Sequence, residues 1–502
     1  MAEAATTNSS SGFSPFFDLF SGSSRFTKPS FARASVSVVA FAFFYVLASI
    51  TYNLLFHPLR KVPGPLFHRA TKIPWTRAWI AGNLHHSLLA LHEQYGEVVR
   101  IAPNELSFIS AAAFQQIYGT DSIARNPRLP ALNGNQHDIM FWTNIADHTR
   151  FRKYLIHSLN GPSAISGHES VIQRNADVFR RQVEAQANAN DRVVNMTNFY
   201  DWLTFDVAGD LLWRESFGSL EKLETHPWQE LQGVAALGTY GVLIAQFPWL
   251  EKIMRALTPR KLLELMLDVV KEKQKTMLPN AGVASLASAK FPGLLSPNEV
   301  NANLVILVNA GGETTSTTLN AATYFLTRNK ACARKAREEV RAAFASENDI
   351  SHPKVTQLPY LNAVILETLR LAPVVPTSIS RYAVREVLID GAMVPKGTCI
   401  RTTNFAAGRY STYFRDASEF RPERWLGHPS FESDNRAAIQ PFLSGKHSCM
   451  GRKFAEMEMT HVLARLLWAY EFELVDDTFG FCEQRTNLLW EKGPLNVRMI
   501  PV

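Results

Sequence analysis

Phe442-Leu443-Ser444-Gly445-Lys446-His447-Ser448-Cys449-Met450-Gly451-Arg452 is the stretch of this 502-residue chain richest in potential chemistry. A glycine-punctuated loop leads into Cys449, and an amphipathic helix is expected from about Met450 to Tyr470. A cysteine just ahead of a helix meets free backbone N–H groups and the positive end of the helix dipole. Lys446, His447 and Arg452 add positive charge nearby. Each influence lowers a thiol pKa, so the spacing predicts a thiolate, able to serve as a nucleophile or a metal ligand. Nucleophilic catalysis would need a paired histidine with an orienting carboxylate, and beyond His447 nothing completes such a triad. Taken alone, the stretch also fits an ordinary structural cysteine.

A second stretch combines a carboxylate with a hydroxyl: Ala310-Gly311-Gly312-Glu313-Thr314-Thr315-Ser316. It follows Leu304-Val305-Ile306-Leu307-Val308, apolar on every face, within a helix expected from about Asn298 to Arg328 and buried all round. Ile306, Ala310 and Thr314 are spaced i, i+4, i+8 and share one face. Two adjacent glycines cost a buried helix about 1 kcal/mol each relative to alanine. They let a flat ligand approach the backbone or the helix bulge. A plainer reading is a close helix crossing, with Thr314 bonded back to its own turn.

The elements that must position these residues follow from the rest of the chain. With 46% hydrophobic and 11% aromatic residues the chain buries a large core, which excludes disorder for most of its length. The net charge of +7 is far below that of a nucleic-acid binder. The four cysteines (Cys332, Cys399, Cys449 and Cys482) form no CxxC, which excludes a zinc ribbon and a disulfide framework. There is no GxGxxG, Walker loop, GxSxG or HExxH. Patterning is mostly helical, with strand-like pieces at Glu97–Ile101 and Tyr382–Ile389. The expected fold is mainly α with small β-sheets, in one globular domain over 67–502.

Residues 34–56 are 23 in a row without charge, against about 20 for a membrane-spanning helix. They predict a retained single-pass anchor. The first 33 residues are expected to form a flexible tail, with a glycosylation sequon at Asn8. Basic residues are biased to the far side of the anchor (Arg60, Lys61, Arg69, Lys72 and Arg77 against Arg25, Lys28 and Arg33), which places the large domain in the cytosol. Residues 57–66, with Pro63-Gly64-Pro65, are expected to form a stiff hinge.

The cysteine loop resembles the haem-ligand signature of the cytochrome P-450 family, FxxGxxxCxG, at Phe442, Gly445, Cys449 and Gly451. Three further motifs stand in the family's order. Ala310 to Thr315 resembles the oxygen-activation segment, Glu367-Thr368-Leu369-Arg370 resembles ExxR, and Phe420-Arg421-Pro422-Glu423-Arg424-Trp425 resembles the meander motif. The resemblance covers nearly all of 60–502 and implies the cytochrome P-450 fold behind a transmembrane helix. It implies heme b with Cys449 as axial thiolate and Phe442 against the proximal side. His148, Arg152, Arg381 and His447 would hold the propionates. Glu313 and Thr314 would form the acid–alcohol pair that steers protons to oxygen. Glu367, Arg370 and Arg424 would form a structural charge triad. The substrate pocket would draw on the stretch from about Arg125 to Trp142, on Val305, Ile306, Ala310, Val374, Val375 and Thr377, and on the turn near Phe481. Two positions depart from the common pattern: His447, where arginine is usual, and Leu443, where glycine is usual. His447 would carry a pH-dependent charge.

The implied activity is a monooxygenase that oxidises a lipophilic small molecule. Electrons would come from NADPH through a separate FAD/FMN reductase, at the endoplasmic reticulum membrane. The sequence looks most like fungal microsomal members that tailor terpenoid or polyketide metabolites, such as trichothecene hydroxylases. A haem-thiolate isomerase or dehydratase working without reductase, and a non-catalytic haem-binding protein, are the alternatives. An intact Glu313-Thr314 pair argues against both.

Overall fold

The structure, a computed structural model, describes residues 28–126, 139–140, 144–227, 229, 291 and 293–502. Helix α1 (Lys28–Thr51) continues into a π turn at Tyr52–Phe56. It begins ahead of the apolar run, so Lys28 to Arg33, expected in the tail, are helical; Asn8 lies outside the described residues. Val36–Phe56 gives 21 helical residues long and apolar enough to cross a membrane, about 31 Å at ~1.5 Å per residue.

The chain then folds back on strand β1 (Val98–Ala102). The Arg100 N–H donates to the Pro63 carbonyl at 2.7 Å, and a Cβ on Gly64 would collide with the Arg100 carbonyl. The buried Arg100 guanidinium donates to the Asn53 carbonyl at 3.0 Å and to the Pro103 carbonyl at 2.7 Å. The Asn53 amide donates in turn to the Ala70 carbonyl at 3.0 Å. Side chains therefore tie the end of the apolar helix to the sheet.

Among the described residues the remaining order is α2 (Leu66–Ala70), α3 (Ile73–Ile80), α4 (Leu84–Tyr95), β1, β2 (Glu105–Phe108), α5 (Ala111–Gly119), β3 (Ile123–Arg125), α6 (Ile145–Asn160), α7 (Pro162–Ala189), β4 (Val193–Asn195), α8 (Met196–Trp213) and α9 (Ser219–Lys222). The second half holds α10 (Pro297–Arg328), α11 (Lys330–Ala343), α12 (His352–Val355), α13 (Pro359–Leu371), β5 (Arg381–Ala383), β6 (Val387–Ile389), β7 (Ala392–Val394), β8 (Cys399–Thr402), α14 (Asn404–Arg409), α15 (Arg452–Ala469), β9 (Tyr470–Leu474) and β10 (Asn496–Pro501). Helices dominate. The sheets are small: one in the order β1-β2-β8-β5-β3, one in the order β4-β10-β9, and the β6-β7 hairpin. The strand expected over Tyr382–Ile389 is two strands. β5 pairs with β3 and β8, whereas β6 turns back on β7 through Asp390 and Gly391, both with positive φ (47° and 74°). A two-residue turn with positive φ at both positions matches the twist of a hairpin.

Helix α10 starts where its sequence says it must. Ser296 and Glu299 form a reciprocal capping box and Pro297 occupies the first turn. It packs along α8, which is buried on nearly every face. Polar side chains cross this contact: Thr197 donates to Asn320 at 2.9 Å, and the hydroxyls of Tyr200 and Thr323 meet at 2.6 Å.

Glu367 and Arg370 on α13 are fully buried with Arg424 from the meander. Arg370 Nε and Nη2 donate to Glu367 at 2.8 and 2.7 Å, and Arg424 Nε donates at 3.0 Å. The Arg421 N–H and Trp425 Nε1 also donate to Glu367, at 2.8 and 2.9 Å. A buried carboxylate is tolerated when paired and hydrogen-bonded in this way.

Candidate active site

The loop before α15 closes on itself through the Cys449 N–H, which donates to the Phe442 carbonyl at 2.7 Å. Phe442 packs on the main core, with the Arg452 guanidinium 5.3 Å from its ring centre. Gly445 takes φ 59°, and a Cβ there would press on the Tyr118 carbonyl at 3.0 Å, so both backbone and packing require glycine. Leu443 also takes a left-handed φ, 56°, at a cost of about 1–2 kcal/mol. Its side chain packs on the small core that contains Phe114 and Tyr118, which offsets that cost. Gly451 has an ordinary φ of −86° and caps α15, and a Cβ there would meet nothing within 4 Å.

Cys449 sits deep among protein atoms yet is open on one side. Burial pushes its thiol above the ordinary value, against the pull of the Gly451 N–H, Arg152 and Arg452. This corrects the sequence expectation of a lowered pKa. Nearby positive charge is present, but desolvation outweighs it. A buried thiol of this kind becomes a thiolate when a metal takes it.

Beside the loop lies a cluster of basic groups. The rings of His148, on α6, and His447 lie 4.8 Å apart. Burial lowers the His148 pKa to about 4, helped by Arg125, Arg152 and Arg381. Burial and the charges of Arg381 and Arg125 lower that of His447 to about 2. In the protein alone both rings are therefore neutral near pH 7. Arg381, 6% exposed, stacks its guanidinium 5.0 Å from the Tyr118 ring centre. Its Nε and Nη1 make no hydrogen bond, nor does His447 Nδ1. Arg152 donates through Nη1 and Nη2 to the Ser448 carbonyl and hydroxyl at 2.7 and 2.8 Å, so it braces the cysteine loop. Arg125, not singled out in sequence as a cation, belongs to the same cluster. Unsatisfied buried guanidinium nitrogens are costly. A concentration of them beside an accessible sulfur fits a flat metal-bearing group with carboxylate arms.

On α10, Ile306, Ala310 and Thr314 are half-buried; the side chain of Val305 lies outside the described residues, as does most of the stretch from Arg125 to Trp142. The Thr314 hydroxyl donates to the Ala310 carbonyl at 2.6 Å. The glycines serve the contact with α8: a Cβ on Gly312 would meet the Phe205 ring at 2.7 Å, whereas one on Gly311 would meet Ala208 at an ordinary 3.7 Å. Gly312→Ala is therefore expected to destabilise the protein by about 1–3 kcal/mol through overpacking. Gly311→Ala should be neutral or stabilising by up to about 1 kcal/mol. Thermal unfolding of the two variants measures the asymmetry. Val374 and Val375 are half-buried, but Thr377 is 2% exposed and packed in. Phe481 is buried beside Trp490.

Glu313 is an ion-pair partner. Its Oε1 lies 2.9 Å from Lys492 Nζ, which is also 2.6 Å from Asp201 Oδ1 on α8. Neither Lys492 nor Asp201 was singled out in sequence. The available signal was a lysine two residues after the apolar run Leu488-Leu489-Trp490.

A family model for cytochrome P450 matches residues 62–499. The cytochrome P450 monooxygenase sdnF of Sordaria araneosa is 35% identical over 483 residues, 91% of this chain and 92% of that protein. The cytochrome P450 monooxygenase astJ of Aspergillus oryzae is 33% identical over 477 residues, 90% of this chain and 94% of that protein. Averantin hydroxylase of Dothistroma septosporum is 34% identical over 477 residues, 91% of this chain and 89% of that protein. Matches of this extent, on a helical fold with an open cysteine beside a buried basic cluster, leave one assignment: the chain belongs to the cytochrome P450 family and is a haem-thiolate monooxygenase of secondary-metabolite biosynthesis.

Proposed function

We propose that Cys449 would supply the thiolate ligand of a haem, and that His148, Arg381 and His447, with Arg125, would hold its propionates. The observation that carries this reading is the set of buried, unpartnered nitrogens on Arg381 and His447 beside an accessible sulfur. When bound, the haem supplies O₂ activation and transfer of one oxygen atom, and thiolate ligation favours O–O cleavage. The protein's own part is to exclude water and to place protons. Phe442 and Leu443 pack against their cores and dry the cysteine side. Arg152 fixes the loop through Ser448. Glu313 is the acid, and Thr314, one residue on, presents its hydroxyl on the face shared by Ile306 and Ala310.

Electrons come from NADPH through a separate diflavin reductase, and the apolar helix holds the protein in the endoplasmic reticulum membrane with the large domain in the cytosol. The substrate is lipophilic, of terpenoid or polyketide type. The apolar side chains Ile306, Ala310, Val374 and Val375 support this class. The test is turnover of an organic extract from cells deleted for this gene, with reductase, NADPH and ¹⁸O₂. A compound should disappear and a product carrying one ¹⁸O atom should appear, strictly dependent on NADPH and reductase. Conversion without reductase, and without label, would replace this reading with an isomerase or dehydratase.

A further inference from the structure

Among the described residues, Lys492 brings an enclosed ammonium to α10. It comes from the segment before β10, its side chain is 6% exposed, and its Nζ lies between two carboxylates on different helices. Asp201 Oδ1 is at 2.6 Å and Glu313 Oε1 at 2.9 Å. The Ser316 hydroxyl is 3.2 Å from the same Nζ and also donates to Asp201. The Thr317 hydroxyl reaches Glu313 at 3.4 Å. One cation thus serves two anions. Burial pulls the Lys492 ammonium down, but Asp201 and Glu313 outweigh it and hold its pKa at about 12. For Glu313, burial outweighs the pull of Lys492 and, with the Asp201 charge, holds the carboxyl above its ordinary value.

The arrangement is asymmetric in a useful way. Successive residues of an α-helix are about 100° apart, so a Glu313 carboxylate resting on Lys492 is turned off the face that carries Thr314. It must leave Lys492 to serve that face. When it does, Asp201 still neutralises the ammonium, with Ser316 to hold it, so no charge is stranded in the interior. Asp201 is also the most open of the three, at 26% side-chain exposure.

We propose that Lys492 is a positioning residue for oxygen activation: it parks the Glu313 carboxylate between turnovers, and Asp201 is the standing counter-charge that lets it go. This rests on the reading of Glu313 as the acid that serves Thr314.

The experiment uses full-length protein with reductase, NADPH and the extract of deleted cells, and reads product and hydrogen peroxide formed per NADPH. Lys492→Met should retain the carbon monoxide spectrum and consume NADPH, but yield about tenfold less product per NADPH, with peroxide in its place. Lys492→Arg should recover most of the yield. Asp201→Asn leaves the ammonium to Glu313 alone and should also uncouple, which a merely structural pair would not do. Lys492→Met with Glu313→Gln should be no worse than Glu313→Gln, because one interaction is removed twice. An infrared readout is independent of turnover: Lys492→Met should show a new protonated-carboxyl band, lost when Glu313→Gln is added.

Coupling unchanged in Glu313→Gln would overturn the role of Glu313 itself. Uncoupling in Glu313→Gln, with full coupling in Lys492→Met and Asp201→Asn and no new infrared band, would overturn the proposal and leave Glu313's role standing. If Lys492→Met fails to fold, Asp201→Asn and Lys492→Arg decide.

Discussion

Cys449→Ser is expected to remove the strongly red-shifted Soret band from the carbon monoxide difference spectrum of the reduced protein, and to lower turnover at least about a thousandfold, equivalent to about 4 kcal/mol of barrier. Serine cannot ionise and push electron density as a thiolate does. The variant should still fold, because what closes the loop does not involve the sulfur. The Cys449 N–H bonds the Phe442 carbonyl, and Arg152 bonds Ser448. The other cysteines cannot stand in. Cys332 is buried, Cys399 lies in the sheet on β8 between Glu105 and Tyr382, and the Cys482 sulfur is held 3.1 Å from Arg409 Nη2 in a different part of the core. A red-shifted band that survives in Cys449→Ser would remove this residue from the ligand position.

Glu367→Ala should be the most damaging change outside the cysteine loop. It leaves Arg370 and Arg424 fully buried without their shared anion, though each keeps carbonyl acceptors and Arg424 keeps Asp434. Removing one partner from a buried ion pair costs about 3–5 kcal/mol, a large part of the ~5–15 kcal/mol by which a typical protein is stable. Little haem-loaded protein should accumulate, and what does should melt many degrees lower. The acid limb of the stability profile follows from the same contacts. Burial alone would raise the Glu367 pKa, but Arg370 and Arg424 outweigh it and hold it below the ordinary value. Its contribution is therefore complete above the usual carboxylate pKa and is lost as the pH falls through the folded-state value. In Glu367→Ala that limb should flatten. A variant as stable as wild type, with the same acid limb, would contradict the bonding seen here.

Local signals were readable and remote ones were not. The long helix over 298–328 is legible because its cap, its apolar run and its length all lie within one stretch, and Ser296 with Glu299 sharpens its start. The break between β5 and β6 falls at Val384-Arg385-Glu386, where no glycine or proline marks it, whereas the next turn, between β6 and β7, is announced by Asp390-Gly391. The charge around Cys449 was readable, but the depth of the sulfur was not, so the direction of its pKa came out wrong. The lowered pKa of His447 was unreadable for a similar reason: it comes first from burial and then from Arg381 on β5 and Arg125 on β3, both remote in sequence. The partnership of Glu313 with Lys492 and Asp201 joins three separate elements, and no spacing rule reaches across them.

The Arg100–Asn53 tie has a consequence for how the protein meets others. With α1 in a bilayer, a free tether would let the large domain tumble, and an approaching partner would have to catch it in a chance orientation. Arg100 instead grips the turn that ends the apolar helix while its backbone holds Pro63. In such a bilayer this tie would restrict the height and tilt of the domain above the lipid. A partner confined to the same surface would then search in two dimensions for a face presented at a narrow range of levels, and the tie would serve as an alignment device for encounter.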